Sequence, residues 1–164
     1  MAKENRETGE KLIATNPSRG NYFVNEVVEA GIVLTGTEVK SMRATAPHLR
    51  DGFVEFQPLG KGWEAWLVNV HIGPYSHGNV WNHLALRRRK LLLHRHQLDK
   101  LHGAIIQKGM TVIPLRMYFR KGMAKIELGL AKGKKQHDKR DTLKKKAVER
   151  EMEVEAKSLG KIKR

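Results

Sequence analysis

Histidine is the first residue type in this sequence that could do chemistry, since neutral imidazoles are common metal ligands and proton carriers. The chain has 8 histidines, and His71, His77 and His83 follow one another at intervals of six residues. Zinc ligands on one helix face lie three or four residues apart, usually with a close pair, and no His-Glu-x-x-His pattern is present. We therefore predict no metal site and interpret these imidazoles as surface groups.

The other residue types used in catalysis also lack a suitable pattern. There is no cysteine, which excludes disulfides, thiolate metal sites and a cysteine nucleophile. The 11 acidic residues of segment 1–131 are mostly interleaved with Lys and Arg, whereas two-metal phosphodiester hydrolysis needs several acids in one place. Neither a phosphate-binding P-loop nor a Gly-x-Ser-x-Gly motif occurs. We predict a protein that is not an enzyme, with no catalytic residues and no cofactor.

Positive charge is the dominant feature of the composition. The 164 residues contain 32 Lys and Arg against 17 Asp and Glu, a formal net charge of +15. Such an excess predicts a polyanionic partner. An anionic membrane would require an amphipathic helix with bulky apolar residues, and segment 132–164 has no Trp or Phe. Nucleic acid is therefore the favoured partner, and composition alone leaves DNA and RNA open.

The charge is concentrated in two places. Residues 87–90 are four consecutive cations, and segment 132–164 has 13 basic and 6 acidic side chains. That segment has no aromatic residue and few large apolar ones, so it cannot bury enough surface to offset its ordering entropy. Within it, Lys and Arg would neutralise phosphates, and His137 could stack on a base. Charge alone is equally typical of a solvated basic linker.

Apolar patterning predicts a mainly β domain in segment 12–131. The pattern has no regular strand–helix alternation, which favours a small antiparallel barrel of about six strands with two or three flanking helices. The alternation of Ile126, Leu128 and Leu130 with polar or small residues predicts one buried and one wet face. The predicted strands are 21–28, 52–56, 63–70, 110–119 and 123–130, and the clearest predicted helices are 37–43 and 95–108.

The predicted organisation has three parts. A flexible N-terminus at 1–11 precedes a nucleic-acid-binding β-barrel domain at 12–131, and the basic C-terminal tail at 132–164 is expected to be disordered alone. No stretch approaches the 18 apolar residues of a membrane span, and no secretory signal is present. We expect a cytoplasmic protein with no membrane partner, and a monomer, since nothing demands an oligomer.

Three segments, in this order, resemble the small protein B family, the SsrA-binding proteins that partner transfer-messenger RNA (tmRNA) in bacterial trans-translation. The resemblance runs from about Ile13 to Arg140. The segments are Glu29-Ala30-Gly31-Ile32-Val33-Leu34-Thr35-Gly36-Thr37-Glu38-Val39-Lys40-Ser41, Arg89-Lys90-Leu91-Leu92-Leu93 and Ala131-Lys132-Gly133-Lys134-Lys135-Gln136-His137-Asp138-Lys139-Arg140.

The resemblance implies a fold and a function. The fold would be a closed, six-stranded antiparallel barrel like the OB-fold, with a tail that becomes helical on the ribosome. The protein would bind the tRNA-like domain of tmRNA (SsrA RNA), mimic the missing anticodon arm, and deliver tmRNA to stalled 70S ribosomes. There the nascent chain is tagged for proteolysis. The tail would occupy the small-subunit rRNA decoding centre and the empty mRNA channel. Elongation factor Tu and alanyl-tRNA synthetase would be indirect partners, through tmRNA.

The resemblance also implies which residues bind RNA. The tmRNA-binding positions match Asn16, Glu29, Leu92 and Lys125, with Arg89 and Lys90 from the second segment. A carboxylate at Glu29 would accept from a base amino group or orient a neighbouring cation. Leu92 would lie beneath an unstacked base, although core packing is the alternative for the middle leucine of three. Lys125, on the wet face of its strand, suits a phosphate.

In the tail, the resemblance divides the third segment in two. Gly133, Lys134 and Lys135 match a hinge-like basic motif. His137, Asp138, Lys139 and Arg140 match the part that meets the decoding centre, where His137 would stack on an rRNA base. The body departs from the family at 45–51, so no RNA contact is predicted for that loop.

Two other functions remain open from sequence. A generic basic rRNA-binding or ribosome-assembly protein would show the same charge without selectivity for one RNA. A nucleic-acid hydrolase that uses the histidines is the weakest alternative, because no metal-ligand spacing supports it.

Overall fold

The computed structural model of the chain describes residues 4–5, 9–135 and 152. The chain divides into two compact units, residues 1–132 and 133–164. Two short 3-10 helices, Pro17–Asn21 and Asn79–Trp81, accompany the regular elements. These are β1 (Glu4–Asn5), β2 (Glu10–Thr15), β3 (Tyr22–Ile32), α1 (Gly36–Ala44), β4 (Phe53–Leu59), β5 (Gly62–Val68), β6 (Arg89–Leu92), α2 (Arg95–Lys108), β7 (Thr111–Arg120) and β8 (Met123–Gly133).

The strands form one sheet in the order β1-β2-β7-β8-β3-β6-β5-β4. The pairs β1–β2, β2–β7, β7–β8, β3–β6, β5–β6 and β4–β5 are antiparallel. Seven strands have four or more residues, and β1 has two. The predicted class, a mainly β antiparallel fold with two flanking helices, is therefore confirmed.

Closure of the sheet differs from the expectation. Among the described residues, β1 and β4 end the hydrogen-bonded order, so hydrogen bonds do not close the sheet into a barrel. The sheet nevertheless curls, because β4 contacts β7. At this contact the backbone of Gly52 is close-packed: a Cβ there would lie 2.6 Å from Val70 and 2.9 Å from Pro114. The relation to closed OB-fold barrels stays a prediction.

Both predicted hairpins and the longer predicted helix are present. β4 and β5 turn through Gly60 at φ +57°, and β7 and β8 turn through Lys121 and Gly122, both with positive φ. Helix α2 spans the predicted residues 95–108 and ends at Gly109, whose left-handed φ of 57° stops it. Local turn residues account for these elements, because each turn or helix end is determined by residues next to it in the sequence.

β7 and β8 show how the core is built. Ile126, Leu128 and Leu130 are buried as predicted. The register of β7 shifts after Pro114, which agrees with the bulge that a proline in a paired strand requires. Gly129 is buried rather than wet, because the side chain of Leu115 packs against it.

Besides the two-residue β1, two longer strands were not predicted from the sequence. β2 begins at Glu10, within the segment expected to be flexible, and Glu10 and Lys11 pair with Arg120 and Phe119. β6 is four residues long and begins in the basic run. Neither segment is rich in β-branched residues, so their strand conformation depends on pairing with neighbours that are distant in sequence.

The two helices cover the core of the sheet. Met42 of α1 and Leu101 of α2 belong to the same buried cluster as Val112 and Met117 of β7. On α2, the ring of His102 stacks on Trp63 of β5 with centroids 3.5 Å apart. No helix in the part of the chain that the structure describes is long and apolar enough to cross a membrane.

Candidate nucleic-acid interface

Glu29 is the centre of a polar cluster on the surface of β3, β7 and β8. The hydroxyl of Tyr118 donates to Oε2 of Glu29. The Nζ of Lys125 lies 3.4 Å from Oε1, and a guanidinium nitrogen of Arg120 lies 3.4 Å from Oε2. One exposed carboxylate thus holds two cations at the surface and binds the hydroxyl of the buried Tyr118.

The ionisation of this cluster follows from its contacts. The Tyr118 hydrogen bond lowers the pKa of Glu29 most, partial burial raises it, and Lys125 and Arg120 lower it further. The result is a pKa below the ordinary value, so Glu29 is anionic at neutral pH. Burial, together with the anionic Glu29, raises the pKa of Tyr118, which therefore stays a neutral donor. Of the two roles considered for Glu29, this geometry supports the orientation of neighbouring cations.

Tyr118 and Arg120 were not among the residues picked out from sequence. The signal that could have found Tyr118 is the hairpin register, since the turn at Lys121 places Tyr118 opposite Lys125. The contacts of Tyr118 and Arg120 with Glu29 could not be predicted from the hairpin register, because Glu29 lies on β3, which β8 separates from β7 in the sheet.

Leu92 lies on the surface, whereas Leu91 faces the core. The exposed fraction of Leu92 is 55%, against 3% for Leu91. Leu92 pairs with Gly31 of β3, where an added Cβ would come within 3.2 Å of the Leu92 Cβ. Core packing, the alternative considered for Leu92, is therefore excluded. An exposed leucine beside a glycine offers a flat apolar surface, and its contact with a base stays a prediction.

Asn16 is buried and its amide is used within the protein. Its Nδ2 donates to the carbonyl of Pro114 at 2.8 Å, and its Oδ1 accepts from the backbone N–H of Ser18 at 2.8 Å. Asn16 thereby caps the 3-10 helix at Pro17 and ties it to β7. An influence of Asn16 on RNA binding would therefore act through the position of this turn.

The turn held by Asn16 borders a groove of about 470 Å³. Its lining includes Ser18 and Asn21 from the turn, and Arg50 and Asp51 from the loop for which no RNA contact is predicted. The aromatic side chains of Tyr22 and Phe53 also line it. The position of Asn16 thus affects the shape of a polar and aromatic depression on the surface.

Arg89 lies in the interior, contrary to the expectation of an RNA contact at its side chain. Its Nε donates to Oε1 of Glu38 at 2.8 Å, and its two terminal nitrogens donate to the carbonyls of Val70 and Ala85. The side chain is 0% exposed. In this conformation Arg89 offers no donor to RNA, because all its nitrogens are bound within the fold.

Glu38 is the buried partner that holds this interior site together. It also accepts from Arg87 at 2.6 Å and from the backbone N–H of Thr35 at 2.8 Å, which caps helix α1. Burial alone would raise the pKa of Glu38, but the hydrogen bonds from Arg87, Thr35 and Arg89 outweigh burial and lower the pKa to about 2. The Glu38 of the first motif and the Arg89 of the second therefore stabilise each other.

The basic run at 87–90 is largely paired with acids. Arg87 and Arg89 share Glu38, Arg88 pairs with Glu55, and Lys90 pairs with Glu64. The side chains of Arg88 and Lys90 are 43% and 40% exposed. The run is therefore not the free cationic patch that its sequence indicated, although Lys90 remains accessible to RNA.

The predicted tail residues lie partly outside the described structure. Gly133 ends β8 and is exposed, and an added Cβ there would meet nothing within 4 Å. Lys134 and Lys135 follow it. His137, Asp138, Lys139 and Arg140 lie outside the described residues, so their roles at the decoding centre stay predictions.

The histidines that suggested metal chemistry have other contacts. His83 hydrogen-bonds Thr37 and the carbonyl of Ile72, and the rings of His48 and His71 lie 5.6 Å apart across an isolated β-bridge. Within residues 4–5, 9–135 and 152, no group of three or more His, Asp or Glu side chains could hold a metal ion.

Comparison with known proteins gives consistent results. Residues 13–158 match the family described as SmpB protein. Proteins named SsrA-binding protein are similar along most of their length: that of Limosilactobacillus reuteri is 51% identical, over 92% of this chain and 94% of the relative. The Pelobacter propionicus protein is 52% identical, over 92% and 97%, and the Streptomyces coelicolor protein is 51% identical, over 93% and 92%.

A solved structure is also similar. It is described as "tmRNA-SmpB: a journey to the center of the bacterial ribosome". Its chain is 42% identical to this one, with a TM-score of 0.62 over 79% of this chain and 93% of the other. At this identity the likeness extends beyond the fold to the family.

Proposed function

This chain belongs to the SmpB protein family, and from this we propose that it is an RNA-binding adaptor that binds tmRNA and takes part in trans-translation on stalled ribosomes. The observation that carries the proposal is a sequence identity of about one half with proteins named SsrA-binding protein, over more than nine-tenths of both sequences. The similar solved structure concerns tmRNA, SmpB and the ribosome together.

The body of the protein would bind the tRNA-like domain of tmRNA and replace its missing anticodon arm. The cluster around Glu29 supports this, because it fixes Lys125 and Arg120 at the surface, where they can neutralise phosphates. The exposed Leu92 supports it as well, because single-stranded RNA is recognised through bases that pack on apolar or aromatic side chains.

The tail, residues 132–164, would enter the vacant decoding centre and the empty mRNA channel and become helical there. Its support is compositional: 13 basic side chains suit a channel lined by RNA, and the scarcity of apolar residues explains folding only on a partner. Gly133 would act as the hinge, and His137 would stack on an rRNA base. In this proposal Asp138, Lys139 and Arg140 also contact the decoding centre.

The remaining parts of the proposal concern partners. Elongation factor Tu and alanyl-tRNA synthetase would meet this protein indirectly, through tmRNA. The protein would act as a monomer in the cytoplasm and supply no chemistry of its own.

Sequencing of the RNA that co-purifies with the full chain tests the proposal directly. Enrichment of tmRNA over bulk tRNA and rRNA is expected. The alternative, a generic basic rRNA-binding or ribosome-assembly protein, predicts RNA in proportion to its abundance.

A binding measurement separates the same alternatives. Affinity for a tmRNA transcript should survive an excess of bulk tRNA and moderate salt. If affinity instead falls equally for all RNAs as salt rises, the generic alternative is correct, since phosphate contacts alone do not distinguish sequences.

A further inference from the structure

Trp81 is one of the most exposed large side chains in the described part of the chain. It is 89% exposed and its neighbour Val80 is 92% exposed. Trp is highly buried in most proteins, because its large apolar surface is costly to hydrate. A tryptophan presented in this way therefore requires an explanation in terms of what it contacts.

The loop that presents Trp81 is braced by hydrogen bonds between its two ends. Tyr75 and Asn82 clamp it by reciprocal hydrogen bonds: the Tyr75 N–H donates to Asn82 Oδ1 at 3.0 Å, and Asn82 Nδ2 donates to the Tyr75 carbonyl at 2.8 Å. Inside the loop, the N–H of Trp81 donates to the carbonyl of Gly78 at 3.2 Å. Gly78 fits because it lacks a Cβ, which would lie 2.7 Å from the Asn82 side chain.

Helix α1 anchors the same loop to the body. His83 hydrogen-bonds Thr37 at 3.0 Å, Ser41 donates to the carbonyl of Gly73 at 2.6 Å, and the ammonium of Lys40 lies 5.6 Å from the ring centre of Tyr75. These α1 residues belong to the first family motif. The Trp81 ring is therefore displayed from a loop that is tied to α1, and such anchoring lowers the entropy cost of a contact.

The charges near the loop favour an anionic partner. Segment 71–86 contains no Asp or Glu, and the ammonium of Lys40 in α1 lies 5.6 Å from the centre of the Tyr75 ring in the same loop. The acid of α1, Glu38, is buried and bound by Arg87 and Arg89. A loop that displays an indole, contains no carboxylate and contacts Lys40 through Tyr75 matches a nucleic-acid base with its phosphates better than the surface of an average protein.

We propose that Trp81 is a stacking platform for an unpaired base of the tRNA-like RNA that the body binds. The inference rests on the proposed function. It adds a contact on the loop 75–82, separate from the cluster around Glu29 and from Leu92. We assign the stacked base to the RNA that the body binds, because the loop is anchored to α1 within residues 1–132, whereas the tail belongs to the other unit.

Three substitutions of Trp81 test the proposal, with a transcript of the tRNA-like domain of tmRNA as the probe. W81A should weaken binding about 5- to 100-fold, the range found when a stacking aromatic is removed. W81F should retain part of the affinity, whereas W81L, which keeps apolar bulk without a π-face, should bind as weakly as W81A. I106A, at a 69% exposed apolar residue of α2, is the matched control and should bind like the unmodified chain.

Fluorescence provides a second readout. The chain has 3 tryptophans, and stacking of a base on Trp81 should quench the tryptophan emission of the unmodified protein when RNA is added. The emission of W81F, which lacks this ring, should change much less. Circular dichroism of each variant establishes that the fold is retained, as expected for a surface substitution.

Each other outcome has a definite meaning. If the unmodified chain fails to bind the transcript selectively, the proposed function is wrong and the inference falls with it. If the unmodified chain binds but W81A binds equally well, the inference alone is overturned. Equal binding by W81L would show an apolar contact rather than stacking. Loss of ribosome association by W81A with unchanged RNA affinity would show that the loop meets another partner, which also overturns the proposal.

Discussion

Glu38 and Arg89 are separated by 51 positions in the sequence and form an ion pair whose two side chains are both 0% exposed, with Nε and Oε1 2.8 Å apart. The pair connects helix α1 to strand β6. Because Arg89 also binds the carbonyls of Val70 and Ala85, the pair fixes β6 and the outward direction of Lys90 and Leu92.

Removal of the Glu38 charge should therefore destabilise the fold strongly. We expect E38Q to lower the free energy of unfolding by about 3–5 kcal/mol, since it leaves the buried Arg89 charge unpaired. Urea unfolding followed by circular dichroism measures the change. E55Q is the matched control, because Glu55 and Arg88 are both over 40% exposed, and it should cost less than about 1 kcal/mol. Equal costs for the two variants would contradict the structural role of Glu38.

The lowered pKa of Glu38 predicts how stability depends on pH. A carboxyl whose pKa is about 2 in the folded chain and 4.5 ordinarily contributes roughly 3 kcal/mol at neutral pH. The contribution is complete above about pH 4.5 and is lost as the pH falls from 4.5 towards 2. The difference in unfolding free energy between the unmodified chain and E38Q should narrow over that interval. A difference that stays constant from pH 7 to pH 2.5 would show that the Glu38 charge is not its source.

Glu29 offers a test in which the sign of the effect is decisive. If Glu29 only repelled phosphates, E29Q would strengthen RNA binding. We expect the reverse, a weakening of about 2- to 5-fold, because Lys125 and Arg120 lose the ion pairs that orient them. E26Q, at a partly exposed acid of the same strand that pairs with Lys100, should not weaken binding. Affinity for the tRNA-like domain of tmRNA, measured by fluorescence anisotropy, checks both.

Lys125 should act as a phosphate contact. K125M is expected to weaken RNA binding and to reduce the slope of log K against log salt by about 1. K61M, which removes a cation from the β4–β5 turn, is the control and should leave the slope unchanged. An unchanged slope in K125M would exclude a phosphate contact there.

Leu91 and Leu92 should separate stability from binding. L91A removes a core side chain and should cost about 2–5 kcal/mol of unfolding free energy. L92A removes an exposed one and should cost no more than about 0.5 kcal/mol while weakening RNA binding. Thermal unfolding and RNA titration of the two variants supply the comparison. Full RNA affinity in L92A would remove Leu92 from the interface.

A truncation tests the division between body and tail. A chain that ends at Lys135 should bind tmRNA and fail to tag nascent chains on stalled ribosomes. The cut belongs after β8, because Ala131 is 0% exposed and pairs with Thr111, so a shorter chain would lose part of the core. Loss of tmRNA binding on truncation at Lys135 would show that the tail also contributes to RNA recognition.

The sequence by itself determined the local features of this protein. Helix α2 and the two hairpins were predictable because apolar periodicity and turn residues such as Gly109 and Gly122 act over a few neighbours. The three motifs likewise identified the family before any coordinates, and the charge predicted a polyanionic partner.

Only the tertiary structure decided which side chains reach the surface. Arg89 and Lys90 are adjacent cations, yet one is buried against Glu38 and the other is accessible. Leu91 and Leu92 divide in the same way. Most cations of the basic run at 87–90 are paired with acids that are distant in sequence, such as Glu38. Likewise, Tyr118 contacts Glu29 only because the sheet brings β7 and β3 close together. The physical reason is that strand pairing, and with it burial and ion pairing, depends on residues far apart in the chain.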